Sequence, residues 1–158
     1  MVQSRILVVE DDRDHARALC TRLTREGFAV IVARDACQAV QLARRERPAL
    51  VILDVRLPAG DGFCVHARLN NLPCGAVPVI YLTGLSGEVH KRRARRLGAA
   101  AVLNKPVKSE ELVATIRDCL TPQDAPEPAL SAAAATALQV AQCVAGQRAR
   151  SVVSGRQT

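Results

Sequence analysis

The chain has 158 residues, a formal net charge of +7 and 2% aromatic residues, with no Trp, one Tyr (Tyr81) and two Phe (Phe28 and Phe63). That length suits one well-buried core; the core must be built from Val, Leu, Ile and Ala, which favours a helix-covered parallel sheet over a sandwich or barrel. The scarcity of aromatic platforms argues against single-stranded nucleic acid as a ligand, and much of the basic excess sits in Lys91-Arg92-Arg93-Ala94-Arg95-Arg96, where a solvated helix face or a docking surface for an acidic partner accounts for it without DNA.

The first apolar run, 6–9, ends in the acidic triplet Glu10-Asp11-Asp12. A helix follows over 12–26, with Ala16, Leu19, Cys20 and Leu23 on one face, and Gly27 stops it. The second run, 29–32, leads to a helix over 35–46 that opens on Asp35 and Gln38, a pairing that resembles a capping box. The third run, 50–53, closes on Asp54 and passes at once into a Pro/Gly turn, with a helix over 62–71 behind it. The fourth, 77–82, closes on Thr83, before a helix over 86–97 that carries the basic cluster and stops at Gly98. The fifth, 100–103, closes on Lys105-Pro106, and Ser109 caps a last helix over 109–120 with Glu110 and Glu111 in its first turn.

Run length and Val/Ile content favour buried strands. Strict β-α alternation with short connections means a parallel sheet with right-handed crossovers. In such sheets ligands bind beyond the carboxyl ends of the strands, where the strand order reverses. Glu10, Asp11, Asp54, Thr83 and Lys105 all fall at such ends.

Composition changes after Leu120. Residues 122–128 include Pro122, Pro126 and Pro128 and read as a linker. Residues 129–158 form an Ala-rich tail, helical in part or disordered, whose stripe of Leu130, Ala134, Leu138, Ala141 and Val144 is too thin for a core. The main domain is therefore expected over 1–121. The uncharged stretch 129–147 is too weakly apolar to cross a bilayer, and the N-terminus enters a strand almost at once, without a signal peptide. No membrane association is expected, and the expected location is cytoplasmic. Cysteines show no CxxC pair and no His at ligand spacing, which argues against zinc. Cys20, Cys37 and Cys119 fall on apolar helix faces and are expected as buried free thiols.

Four pieces stand in order at strand ends: Ile6-Leu7-Val8-Val9-Glu10-Asp11-Asp12, Leu53-Asp54-Val55-Arg56-Leu57-Pro58-Ala59-Gly60-Asp61-Gly62, Leu82-Thr83-Gly84 and Lys105-Pro106. On these, residues 5–120 resemble the receiver domain of two-component response regulators, with a chemotaxis-regulator-like fold. The resemblance implies an α/β, flavodoxin-like, doubly wound parallel sheet of five strands in the order 2-1-3-4-5, with five helices. It also implies that Asp54 accepts a phosphoryl group from a sensor histidine kinase or a histidine phosphotransfer protein.

The residue chemistry is consistent with that. A carboxylate is a poor nucleophile toward a phosphate anion, because both are negative. Mg²⁺ offsets the repulsion and takes oxygen ligands from carboxylates and substrate; Glu10 and Asp11 would stand beside Asp54 to supply them. By resemblance the main-chain carbonyl of Arg56 is a further ligand. Register after Val9 favours Glu10 and Asp11 over Asp12; the alternative is that the whole triplet is only the N-terminal charge of a helix. Lys105 brings a positive charge to the phosphoryl oxygens and Thr83 a hydroxyl donor, both acting by position and electrostatics. Taken alone, Thr83 would read as a strand-end residue and Lys105 as a surface charge.

By resemblance, Lys105-Pro106 is a cis peptide and Thr83 is half of a conformational switch. The other half, aromatic in relatives, is Val102, which has neither the length nor the polar tip for that part. Arg56 and Leu85, two beyond Asp54 and Thr83, would flank the path of the hydrolytic water and restrict it, so slow self-dephosphorylation is expected.

The expected function is a phosphoacceptor that signals to a downstream protein through the fourth and fifth helices and the fifth strand, with phosphorylation-dependent dimerisation left open. It would catalyse only its own phosphorylation and dephosphorylation. An alternative is the N-terminal receiver part of a transcriptional regulator or output enzyme, which the linker and Arg148, Arg150 and Arg156 fit. A third reading, a metal-dependent phosphohydrolase with Asp54 as nucleophile, lacks an acid just after Asp54, where Arg56 stands.

Overall fold

The apolar runs become the strands of one parallel sheet. In the computed structural model the described residues are 3–57, 60–73, 75–84 and 87–121. They form, in chain order, β1 (Arg5–Val9), α1 (Arg13–Arg25), β2 (Ala29–Ala33), α2 (Ala36–Glu46), β3 (Leu50–Asp54), β4 (Arg56–Leu57), β5 (Gly60–Asp61), α3 (Gly62–Asn70), β6 (Val79–Thr83), α4 (Glu88–Arg96), β7 (Ala101–Asn104) and α5 (Ser109–Leu120). The main sheet runs β2-β1-β3-β6-β7, every pairing parallel. Counted along the chain, these five strands stand in the expected order 2-1-3-4-5. The antiparallel ribbon β4–β5, with Arg56 opposite Asp61, was not expected. Each of its strands has two residues, too short for any alternation to register.

Period-2 alternation sorts the core onto two faces. Leu7, Val9, Val51, Leu53, Val79 and Tyr81 pack with Ala39 and Ala43 of α2, Phe63, Val65 and Leu69 of α3, and Ala94 of α4. Ile6, Val8, Leu50, Ile52, Ile80 and Leu82 pack with Leu19 and Leu23 of α1 and Leu112 and Ile116 of α5. Because both faces are covered, the central strands read as continuous apolar runs.

Helix ends correct some expectations. Asp12 caps α1, accepting from the N–H groups of Asp14 and His15 at 2.9 Å, so a turn of helix claims it. Asp35 caps α2 through the Gln38 N–H, but the Gln38 side chain returns to the N–H of Arg34 rather than of Asp35. Ser109 does not cap α5: it is the first helical residue, and Lys108 holds the cap position without a side-chain bond. Glu110 and Glu111 remain in the first turn, where the helix dipole favours them. Helix α4 begins at Glu88, two residues later than expected, with Gly87 at its cap. Gly27 and Gly98 take positive φ values of 88° and 83° after α1 and α4, as their positions implied.

The thiols are not the buried set expected. Cys37 and Cys64 are exposed, and Cys20 and Cys119 half-buried. Cys37 lies two residues before the buried Ala39, which at about 100° per residue turns it away from the sheet. No helix among the described residues is long and apolar enough to cross a membrane. Expectations about Leu85, Ser86, the linker and the tail fall outside the described residues.

Candidate phosphoacceptor site

Strand register brings the acidic and basic residues to one edge. Val9 is level with Leu53, and Asp54 with Leu82, so Glu10, Asp54 and Thr83 emerge side by side at the carboxyl end of the sheet. Thr83 is in turn level with Asn104 of β7, and the N–H of Lys105 donates to the Thr83 carbonyl at 2.8 Å. Strand β1 lies between β2 and β3, so the order reverses between β1 and β3, where Glu10 and Asp54 stand.

The side chains converge. Carboxylate oxygens of Glu10, Asp11 and Asp54 lie within 4.8 Å of one another. Glu10 is 2% exposed and Asp54 9%, while Asp11 is open to solvent. Lys105 Nζ sits 2.7 Å from Glu10 Oε2 and 2.7 Å from Asp54 Oδ2. The other Asp54 oxygen, Oδ1, accepts the N–H of Arg56 at 2.9 Å, and Glu10 Oε1 accepts that of Asp12 at 3.4 Å. Thr83 is buried at 1% exposure. Lys105-Pro106 is cis.

Electrostatics follow from this packing. Burial raises the Glu10 carboxyl above its usual range, with the Asp54 charge adding to it and Lys105 opposing. Burial is also the largest influence on Lys105 and would lower it, but the hydrogen bonds and charges of Asp54 and Glu10 outweigh it and leave the ammonium raised. Among the described residues three carboxylates gather here, and the Lys105 ammonium pairs with two of them. An all-oxygen set that carries this excess of negative charge fits a hard divalent cation.

Position 102 lies inside β7, level with Tyr81, and its valine packs half-buried against the α4-side core. Behind the site, sequence reasoning missed a set of contacts. The Tyr81 hydroxyl bonds His66 Nδ1 at 3.0 Å within the core. Asp61 caps α3 through the Phe63 N–H and pairs with Arg93 of α4 at 2.6 Å. The Asp61-Gly62 step before an apolar run was a legible cap signal; the link to Arg93 was not.

The position before Phe63 explains how α3 sits so close. A Cβ on Gly62 would overlap the carbonyl oxygen of Asp54 and lie 3.1 Å from the Val55 Cα. Only glycine lets the start of α3 rest on the backbone at the end of β3.

Comparison with known proteins gives the same family from independent evidence. Residues 6–117 match the response regulator receiver domain. An uncharacterised 14.6 kDa protein of Leptolyngbya boryana is 40% identical over 79% of this chain and 98% of its own length. The probable transcriptional regulator ycf27 of Porphyridium aerugineum is 38% identical over 76% of this chain, which spans only 49% of that protein. Among solved structures, the CheY-like response regulator receiver domain protein of Methanospirillum hungatei superposes with a TM-score of 0.73 at 27% identity, covering 78% of this chain and 98% of that one. The match over most of the chain, the sheet order and the residues gathered at its carboxyl edge agree: the chain belongs to the response regulator receiver domain family.

Proposed function

We propose that the chain is a phosphoacceptor: Asp54 takes a phosphoryl group from a histidine kinase or histidine phosphotransfer protein, and the phosphorylated form signals by protein contact. The observation that carries this is the convergence of Glu10, Asp11 and Asp54 within 4.8 Å, with Lys105 bridging two of them at 2.7 Å. An Asp54 oxygen attacks phosphorus as the bond to the donor imidazole breaks. Glu10, Asp11, Asp54 and the Arg56 carbonyl would hold Mg²⁺, which supplies charge neutralisation for two anions that must meet. Lys105 and Thr83 donate to the phosphoryl oxygens. The Arg56 N–H holds Oδ1 and the Lys105 ammonium holds Oδ2, so both Asp54 oxygens are oriented before the donor arrives.

The added phosphoryl brings roughly −1.5 to −2 of charge to the site. Thr83 reports it inward, and Val102 offers room rather than a moving ring. Output runs through α4, β7 and α5, and the chain works in the cytoplasm as a switch rather than a turnover enzyme.

The test is incubation with a small phosphodonor and Mg²⁺, followed by intact mass. One phosphoryl on the parent, and none on Asp54→Asn or after chelation, is the expected result. Uptake by Asp54→Asn as fast as by the parent would remove the reading. A second reading, the receiver part of a longer transcriptional regulator, is favoured by the 49% of the ycf27 relative that the chain spans; the full reading frame decides it.

A further inference from the structure

Helix α4 is tied to the ribbon that follows Asp54 through the side chain of Arg93. Its Nη1 lies 2.6 Å from Asp61 Oδ2, and its guanidinium carbon sits 4.5 Å above the centre of the Phe63 ring. Phe63 is 2% exposed. It lies 5.2 Å, centre to centre, from Tyr81 of β6 and stacks at 6.1 Å on His90 of α4. Asp61 gives its other oxygen to the Phe63 N–H at 2.9 Å. One carboxylate thus caps α3 and holds α4 at once.

From Asp61 the contacts run straight to the phosphoacceptor. Asp61 is the strand partner of Arg56, whose N–H donates to Asp54 Oδ1 at 2.9 Å. The next residue, Gly62, donates its N–H to the Val55 carbonyl at 3.0 Å. Asp54, Arg56, Asp61 and Arg93 therefore form a continuous series of direct bonds and pairings. Val102, on β7, has no side chain long or polar enough to make a comparable link.

We propose that Arg93 is a positioning residue for the Asp54 site: its pair with Asp61 and its seat on Phe63 hold the β4–β5 ribbon, and with it the Arg56 backbone, against the phosphoacceptor. Site occupancy and α4 position then bias one another, since coupling between two places is reciprocal. What occupies the site rests on the function proposed above; the tether does not. The Arg93 side chain is 53% exposed and that of Asp61 34%, so the ion pair alone is weak and salt-screened. The seat on a dry ring adds a contribution that solvent attenuates less.

The experiment measures amide hydrogen exchange on the full chain, with Mg²⁺ titrations followed by the fluorescence of Tyr81, its only tyrosine in a chain without tryptophan. The variants are Arg93→Ala, Arg93→Lys, Asp61→Asn and the double variant Arg93→Ala/Asp61→Asn. Asn caps a helix as well as Asp, so Asp61→Asn removes the charge partner and keeps α3. Arg93→Ala should speed exchange at the Arg56 and Gly62 amides and weaken Mg²⁺ binding by about three- to tenfold, with Leu7 and Val8 amides unchanged. Asp61→Asn should do the same, the double variant should add little, and Arg93→Lys should restore part of the loss.

Parent-like exchange at Arg56 and Gly62 in Arg93→Ala, or fully additive effects in the double variant, would overturn the proposal. Intact mass separates the two readings. A parent that never takes a phosphoryl group ends the proposed function, while the exchange data still decide Arg93. A phosphorylated parent with Arg93→Ala exchange like its own ends the tether alone.

Discussion

Lys105 Nζ lies 2.7 Å from Asp54 Oδ2, with the Lys105 side chain 24% exposed and that of Asp54 11%. The same ammonium serves Glu10, so it is the counter-charge of two buried carboxylates. Replacing it leaves them facing each other in a poorly solvated cleft. Lys105→Met should lower stability by about 1–3 kcal/mol, below the range for a fully buried pair because water reaches this one. Mg²⁺ should restore part of that loss, since it offers the charge the lysine supplied. Phosphoryl uptake should slow by about a hundredfold or more, the scale for losing one aimed donor. Denaturant midpoints with and without Mg²⁺, and a mass time course, check both. A midpoint insensitive to Mg²⁺ would argue against a metal among these carboxylates.

Gly62 gives a sterically defined prediction. Gly62→Ala places a methyl against the Asp54 carbonyl oxygen, and the atoms it meets are all backbone of Asp54 and Val55, which has little room to yield. Separating α3 from β3 should cost about 1–3 kcal/mol, as overpacking does elsewhere. Gly84→Ala is the control: a Cβ there meets nothing within 4 Å, and its effect should stay within about 0.5 kcal/mol. Equal destabilisation by the two substitutions would mean that the close approach is not the cause.

Much of this arrangement was legible because the relevant signals are local. A short Val/Ile run and the carboxylate or lysine that closes it lie within a few residues of each other, and sheet topology then delivers the run ends to one edge. What could not be read depends on distant packing. Arg93 meets Asp61 across 32 residues, and His66 meets Tyr81 across 15. Neither spacing has a period to detect. Ser109 looked like a cap because its chemistry suits one, but the chain enters α5 one residue earlier. Cys37 looked core-bound because α2 is apolar, but only Ala39 and Ala43 of that helix are fully buried.

Stability should depend on pH through His66 and Tyr81. Burial lowers the His66 imidazole below its usual value. The unfolded chain then binds the proton more readily, so stability is fully present above about pH 6.5 and falls as pH drops below it. Tyr81 runs the other way: burial, with the Asp61 charge, raises its hydroxyl, and stability falls as pH rises past about 10. Urea unfolding at pH 8 and pH 5.5 should show a larger acid-side loss for the parent than for His66→Gln, which cannot take up a proton. The same acid-side loss in both would exclude His66 as its source.

With Asp54 as the proposed phosphoacceptor, Arg56 and Leu85 are expected to set the lifetime of its phosphorylated state. Arg56 follows Asp54 by two residues, with its N–H turned in to Asp54 Oδ1 and its side chain exposed at the rim. A long cation at that rim holds neither a small gap nor a base with which to orient an attacking water, and an apolar residue at position 85 supplies no acceptor. Hydrolysis of the Asp54 phosphate should therefore be slow. Arg56→Asn combined with Leu85→Glu should shorten the lifetime by about a hundredfold, the lower end for a positioned proton acceptor, with little change in phosphoryl uptake because Glu10, Asp11 and Lys105 are untouched. Decay of the phosphorylated mass after donor removal measures it. Equal decay in the double variant and the parent would show that access of water past these two side chains does not set the rate.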